Sequence, residues 1–146
     1  SYATDLPDSP GLEAADIIFL NAYPGWYRLP AELEAAAADL GDTLDRLHSR
    51  HRKPILITEF GADAIAGSHA KPPSLWTEEY QAELIERLMR VAWQRPFVTG
   101  VHVWVFADFA TAQATHRPHS TNFKGVFTRD RRPKLAAHRL TTLWRG

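Results

Sequence analysis

Apolar residues fall along the chain in two alternating patterns. Three runs are short and continuous: Asp16-Ile17-Ile18-Phe19-Leu20, Pro54-Ile55-Leu56-Ile57 and Val101-His102-Val103-Trp104-Val105-Phe106. A strand covered on both faces shows unbroken hydrophobicity, so these runs predict buried strands. Between them the spacing becomes helical. Leu33, Ala36, Ala37, Leu40, Leu44 and Leu47 recur on one face, with Pro30 as a first-turn residue and Gly41 as an internal cost. Thr77 caps a second helix with Glu78 and Glu79 in its first turn and a stripe of Leu84, Leu88, Val91 and Ala92. A third helix is predicted over 134–143. Residues 1–14, 60–76 and 110–133 read as loops.

The order is strand, helix, repeated three times, with no hairpin signal, and it implies parallel strands joined by right-handed crossovers. Every long aromatic or polar loop follows a strand, whereas the connections from helix back to strand are short. That asymmetry belongs to the face of a (β/α)8 TIM barrel where chemistry sits. A closed barrel needs eight strands and roughly 250 residues. The whole of 1–146 therefore reads as an incomplete domain, the C-terminal portion of such a barrel with about three β/α units. Its sheet has open edges, which native proteins cover. Alone, the chain is expected to be poorly stable, or to associate with itself or with a complementary chain.

Composition narrows the chemistry. Seventeen basic and seventeen acidic residues cancel, which removes the electrostatic case for nucleic acid or an anionic membrane as partner. No apolar run approaches the roughly 20 residues that span a bilayer, and the first residues lack the pattern of a signal peptide. With no cysteine, disulfides and thiolate metal sites are excluded. Five Trp, four Tyr and seven Phe gather near strand ends, a placement that suits stacking on sugar rings.

The candidate reactive group is Glu59, a carboxylate at the end of the second apolar run and followed by Gly61, where the chain can turn sharply. His116 and His119 lack a third ligand nearby, so no metal site is expected, and no cofactor is implied. His102 is expected in the core. Asp63 and Asp108 read as structural.

Several separate motifs then occur in one order: Ile57-Thr58-Glu59-Phe60-Gly61-Ala62-Asp63, Trp76-Thr77-Glu78-Glu79-Tyr80-Gln81, Trp104 with Phe106-Ala107-Asp108-Phe109, and Lys124-Gly125-Val126-Phe127-Thr128-Arg129-Asp130. Together, from about Asp16 to Trp144, they resemble the β-glucuronidases, members of a family of retaining β-glycosidases that includes β-galactosidases and β-mannosidases. The resemblance implies the C-terminal part of the catalytic barrel, with Glu59 as nucleophile. It implies that Asn122 and Lys124 hold the C6 carboxylate of the sugar, with Arg117 as an additional carboxylate ligand. Arg117 stands one residue further from Asn122 than the pattern has it. Tyr23 and Tyr27 match two family tyrosines, Tyr27 being the one expected to hydrogen-bond near the nucleophile or the sugar. Trp104 matches the sugar platform. Val105 departs from the pattern, which has Asn there.

The family's acid/base residue is a Glu following an Asn, and no Asn-Glu pair occurs in this chain. The expectation is thus a part of an exo-β-glucuronidase that is inactive alone and acts on a small-molecule glucuronide. Partners would be the missing N-terminal barrel segment and the β-sandwich domains of the same protein, with a homo-oligomer also open. Alternatives are a β-galacturonidase or neutral-sugar glycosidase of the same family, and a non-catalytic sugar-binding or assembly fragment. The sequence fixes no compartment, the cytoplasm being the expectation for a bacterial source.

Overall fold

The computed structural model describes residues 2–4 and 9–145. Four parallel strands form one sheet in the order β1 (Tyr2–Thr4), β2 (Ile18–Asn21), β3 (Ile55–Phe60), β4 (Val98–Val103). Between β2 and β3 lies α1 (Leu33–His51), and between β3 and β4 lies α2 (Glu78–Trp93). A two-stranded antiparallel ribbon, β5 (Phe109–Ala110) with β6 (Thr121–Asn122), precedes α3 (Leu135–Arg145).

This is the expected α/β class, with differences of detail. The sheet holds one more strand than the apolar runs reveal, because β1 carries only Tyr2-Ala3-Thr4 and is too short for any periodicity to register. Residues 5–8 of the loop expected at 1–14 lie outside the described residues. The antiparallel ribbon was also not foreseen: its strands have two residues each and no hairpin dipeptide joins them. The third apolar run is shifted, since β4 begins at Val98 and ends before Trp104. His102 is exposed rather than in the core. It lies on β4, at the edge of the sheet among the described residues.

The chain divides into two compact units, residues 1–60 with 87–103, and residues 61–86 with 104–146. The first contains the four-stranded sheet. Ile18 and Leu20 of β2 and Ile55 and Ile57 of β3 are buried, as are Leu40, Leu44 and Leu47 along one stripe of α1. Pro30 is not in the first turn of α1: Glu32 is the cap, and the chain reaches it through Leu29 and Ala31, both at positive φ. Arg52 in the left-handed conformation ends the helix, its N–H donating to the His48 carbonyl. In the second unit, Thr77 caps α2 as expected, accepting from Tyr80 N–H at 3.3 Å, and Tyr80, Leu84, Ile85, Val126, Ala136 and Leu140 are buried.

Gly41 has a packing reason that its propensity cost conceals. A Cβ there would come within 2.8 Å of the Arg95 guanidinium, which pairs with Asp45 through two bonds of 2.8 and 2.7 Å. Gly41→Ala should gain about 1 kcal/mol of helix propensity and lose the pair, worth roughly 0.2–1 kcal/mol at this exposure. The expected net change is small. In an Arg95→Ala background the same Gly41→Ala change should stabilise by about 1 kcal/mol. A double-mutant cycle by urea unfolding reads the coupling, and identical effects in both backgrounds would show that the guanidinium does not confine position 41.

Candidate functional site

The first unit carries Glu59 with Tyr23 and Tyr27. On β2 and β3 the pairing runs Ile18↔Ile55, Phe19↔Leu56, Leu20↔Ile57 and then slips, so that Asn21 faces Glu59 instead of Thr58. On the other side of β3 the register slips over the same residues, from Ile57↔Val101 to Phe60↔Val103. An extra residue in one strand re-aims the side chains that follow it, and the alternation of buried and half-buried positions along β3 breaks at Glu59. The Thr58 hydroxyl fastens the irregularity by donating to Asn21 Oδ1 at 2.7 Å, and Ala22 N–H donates to the Glu59 carbonyl at 2.8 Å.

The Glu59 carboxylate accepts a 2.8 Å hydrogen bond from the Tyr23 hydroxyl. Tyr27 lies beside this pair. Its ring stands edge-on to that of Tyr23 with centroids 5.3 Å apart, and it is 53% exposed. Both tyrosines line a cavity of about 270 Å³ together with Asn21, Arg28 and Thr43. The turn-rich 21–27 stretch thus delivers the Tyr23 phenol to the carboxylate and sets the half-exposed Tyr27 ring against it.

The second unit carries Trp104, Arg117, Asn122 and Lys124. Past β4 the chain makes a cis Trp104–Val105 peptide and enters a ladder with residues 124–127. Val105 N–H donates to Lys124 O, Val126 N–H to Val105 O, Phe127 N–H to Phe106 O and Asp108 N–H to Phe127 O, all between 2.9 and 3.0 Å. The two motifs that carry Trp104 and Lys124 are therefore one backbone structure. Gly125 permits it: a Cβ there would lie 2.1 Å from Asp108 N and 2.4 Å from Phe127 O, both backbone atoms that cannot yield. The Trp104 ring meets Phe109 edge-on at 6.2 Å.

Beside that ladder lie buried charges. Asp63 Oδ1 accepts from Phe123 N–H at 2.8 Å, while Oδ2 is bonded to Lys124 Nζ and lies 3.6 Å from Arg117 Nη1. Asn122 Oδ1 accepts from Lys124 N–H at 3.0 Å, leaving the amide nitrogen as the donating end of that side chain. Lys134 Nζ donates to Ala64 O at 2.6 Å, Asp108 Oδ1 at 2.8 Å and Phe123 O at 3.0 Å, which accounts for the three hydrogens of an ammonium. Burial pushes the Asp108 carboxyl above its usual range against the pull of Lys134, and burial likewise holds Lys134 below its own.

Sequence reasoning assigned no placing role to Glu78 or Gln81. The Glu78 carboxylate accepts from Gly67 N–H at 2.8 Å and from Leu135 N–H at 2.6 Å, the second at the N-terminus of α3. Gln81 Nε2 donates to Ala62 O and Gly125 O. Gln81 was signalled only by the Trp76–Gln81 motif, and Glu78 by that motif and its place in the first turn of α2. Among the described residues no cluster of three or more His, Asp or Glu fit to hold a metal ion is found, and no helix is long and apolar enough to cross a membrane.

Residues 8–146 match the family model described as glycosyl hydrolases family 2, TIM barrel domain. The chain belongs to that family. It is 47% identical over 129 residues to a β-glucuronidase of Paenibacillus borealis, a match covering 88% of this chain and 22% of the relative. Against the β-glucuronidase of Homo sapiens it is 40% identical over 139 residues, 94% of this chain and 21% of that one. Among solved structures, Faecalibacterium prausnitzii β-glucuronidase superposes with a TM-score of 0.91 at 38% identity, covering 98% of this chain and 24% of that chain. The Dictyoglomus thermophilum β-D-glucuronidase gives 0.88 at 44% identity over 91% and 23%. This family 2 chain thus spans little more than a fifth of the length of the curated relatives it matches.

The loop after β3 is tied down by Glu79 as well as Glu78. His69 Nδ1 lies 2.7 Å from Glu79 Oε1, and Ala70 N–H donates to Oε2 at 3.2 Å. The bond to Glu79 and its charge raise the His69 pKa above the ordinary value. Desolvation acts to raise the Glu79 carboxyl, but the His69 bond and the backbone N–H groups outweigh it and hold the carboxyl low. A raised His pKa contributes stability in full below about pH 6.5, and the contribution is lost as pH rises through the folded value. Proton NMR titration should place the His69 midpoint above about 6.5, and Glu79→Gln should return it there; a midpoint indifferent to that substitution would rule out the pairing in solution.

Proposed function

We propose that this chain is the C-terminal barrel segment of a retaining exo-β-glucuronidase, with Glu59 as its nucleophile. The observation that carries the reading is the Glu59 carboxylate held on an irregular strand end by the Tyr23 hydroxyl at 2.8 Å. A retaining glycosidase needs an ionised carboxylate aimed at the anomeric carbon and a second carboxyl group about 5–5.5 Å away. A strand end secured by backbone and side-chain bonds supplies the rigidity that the first of these requires.

In the proposed reaction a Glu59 oxygen forms a bond to the anomeric carbon as the glycosidic bond breaks, and the aglycone oxygen takes a proton from the acid/base carboxyl. Water then attacks the glycosyl-enzyme, deprotonated by the same carboxyl, and Glu59 is released. A phenol beside Glu59 steadies charge on the carboxylate before and after the covalent step. Trp104 serves as platform for the sugar, and Tyr27 as a contact at its edge. Asn122 and Lys124, with Arg117, bind the C6 carboxylate through neutral and charge-assisted donors. A neutral sugar has no use for that cation, which favours glucuronides over galactosides as substrates.

The chain lacks the Asn-Glu pair that the family uses for acid/base work. In this reading that carboxyl, the other strands and the β-sandwich domains come from the longer protein, and the chain alone does not turn over glycosides. The test uses the full-length enzyme carrying this segment. A 2-fluoro-glucuronide inactivator should label a peptide containing Glu59, detected by mass spectrometry, and the first product formed from an aryl β-glucuronide should be the β-anomer. Glu59→Gln should lower kcat by on the order of 10⁴-fold or more, as loss of a nucleophile does elsewhere. Labelling of another residue, or activity of the isolated chain that survives Glu59→Gln, would overturn the assignment.

A further inference from the structure

We propose that Gln81 is a positioning residue for the sugar platform, holding the backbone that carries Trp104, an inference that rests on the reading of Trp104 as that platform. Gln81 lies on α2 with no exposed surface. Its Nε2 donates to carbonyls from two separate parts of the chain, Ala62 O at 2.9 Å and Gly125 O at 3.2 Å. Its Oε1 is buried with no hydrogen-bond partner among the described residues. Turning the amide over would set that oxygen against two carbonyl oxygens, so its surroundings fix which end donates. A buried acceptor left alone is costly, and leucine or methionine would fill a similar volume without one. What the carboxamide adds over either is a nitrogen with two hydrogens for two carbonyls.

Gly125 O is the more telling of the two acceptors. Val105, which directly follows Trp104, donates its N–H to Lys124 O and accepts from Val126 N–H, both at 3.0 Å. Those bonds use the groups of Lys124 and Val126 and flank Gly125. The carbonyl of Gly125 itself is taken by Gln81, and its N–H is bonded by the Asp108 carboxylate. The residue after Trp104 is thus tied to a segment whose midpoint is gripped from α2. Ala62 O gives that grip a second hold in the core, since Ala62 is buried and Ala64 N–H donates to Phe123 O at 3.0 Å. One turn earlier on α2, Glu78 accepts from Gly67 N–H and Leu135 N–H, neither of them in the ladder. The helix therefore assigns the loop and α3 to Glu78, and the ladder to Gln81.

Trp104 is half-buried, and its ring meets Phe109 edge-on at 6.2 Å. The direction in which its side chain leaves the main chain is a backbone property, and the ladder sets it. A sugar stacked on the indole needs that face in place, and a shift of about 1 Å is enough to weaken such positioning. The platform meets the sugar in the ground state and in the transition state alike. A displaced platform therefore raises KM and leaves kcat less changed.

The test is steady-state kinetics of the full-length enzyme on an aryl β-glucuronide, with active sites counted by the 2-fluoro-glucuronide inactivator. Gln81→Leu keeps the volume and removes both donors. It should raise KM about tenfold, the factor that one net hydrogen bond carries, with a smaller change in kcat per labelled site. Gln81→Glu donates one hydrogen as a neutral acid and none as a carboxylate, which would face two carbonyl oxygens. Its KM relative to wild type should lie lowest at acid pH and climb as pH rises. Glu78, Asp108 and Lys134, the charged groups bonded to the same segments, are present in both proteins, so their own titration cancels in that ratio. Fewer labelled sites with KM and kcat per site at wild-type values would make Gln81 a fold residue only. Where Gln81→Leu yields no folded enzyme, the Gln81→Glu ratio decides, and a ratio indifferent to pH overturns the proposal. Trp104→Ala separates the two layers: an unchanged KM defeats the platform reading itself. A raised KM there, beside Gln81 variants at the wild-type KM, defeats only the positioning role.

Discussion

Charge in the interior governs the second unit of this molecule. Asp63, Lys124, Asp108 and Lys134 are all withdrawn from solvent, and each must be met by an opposite charge or by aimed dipoles to remain there. That requirement dictates the backbone around them. Lys134 needs three acceptors and takes two from main-chain carbonyls, Ala64 and Phe123. Asp63 takes a main-chain N–H from Phe123. Residues 62–64 and 122–125 are consequently stitched together by side chains whose own solvation depends on the stitching. Removing one partner would orphan another, so the polar residues form a set that the fold keeps whole or loses together.

The first unit answers to a different constraint. Parallel strands demand an evenly spaced ladder, and a side chain on a strand takes one face or the other according to its register. An additional residue in β3, visible as slips against both β2 and β4, breaks that alternation at the residue that carries the carboxylate. Thr58 and Asn21 close the irregularity with a side-chain bond. Tyr23, two residues beyond Asn21, is thereby placed to reach Glu59. A regular strand would have set Thr58 opposite Asn21 and assigned Glu59 the other register.

The class of fold and the order of its main elements were legible because they depend on hydrophobic period, which is local. β2, β3, α1 and α2 each bury several apolar residues in one pattern. β1 and the β5–β6 ribbon were not legible, being too short to show a period. Within the candidate site, Glu59 stood out as a carboxylate ending an apolar run, yet its bulge could not be seen, since register is a relation between strands and not a property of one. Nor does the spacing of Tyr23 and Tyr27 say which phenol bonds Glu59, since only the turn at 23–27 brings the Tyr23 hydroxyl to the carboxylate. Asp63 shows the sharper limit. A buried Asp and an exposed one look alike in a sequence, and what distinguishes this one is a pair of cations 54 and 61 positions further along.

Gly125 joins these two kinds of order. It is the point where the 104–108 and 124–127 segments approach too closely for any side chain, and it directly follows Lys124. The close approach holds the backbone directly beside Lys124, whose ammonium bonds Asp63. A substitution at Gly125 would act on charge without altering any charged residue. On the proposed function, selectivity for an anionic sugar therefore rests on a steric condition in the main chain as much as on the cation itself. That explains why a motif reading Lys-Gly carries more information than the Lys alone. The lysine names the charge, and the glycine permits its position.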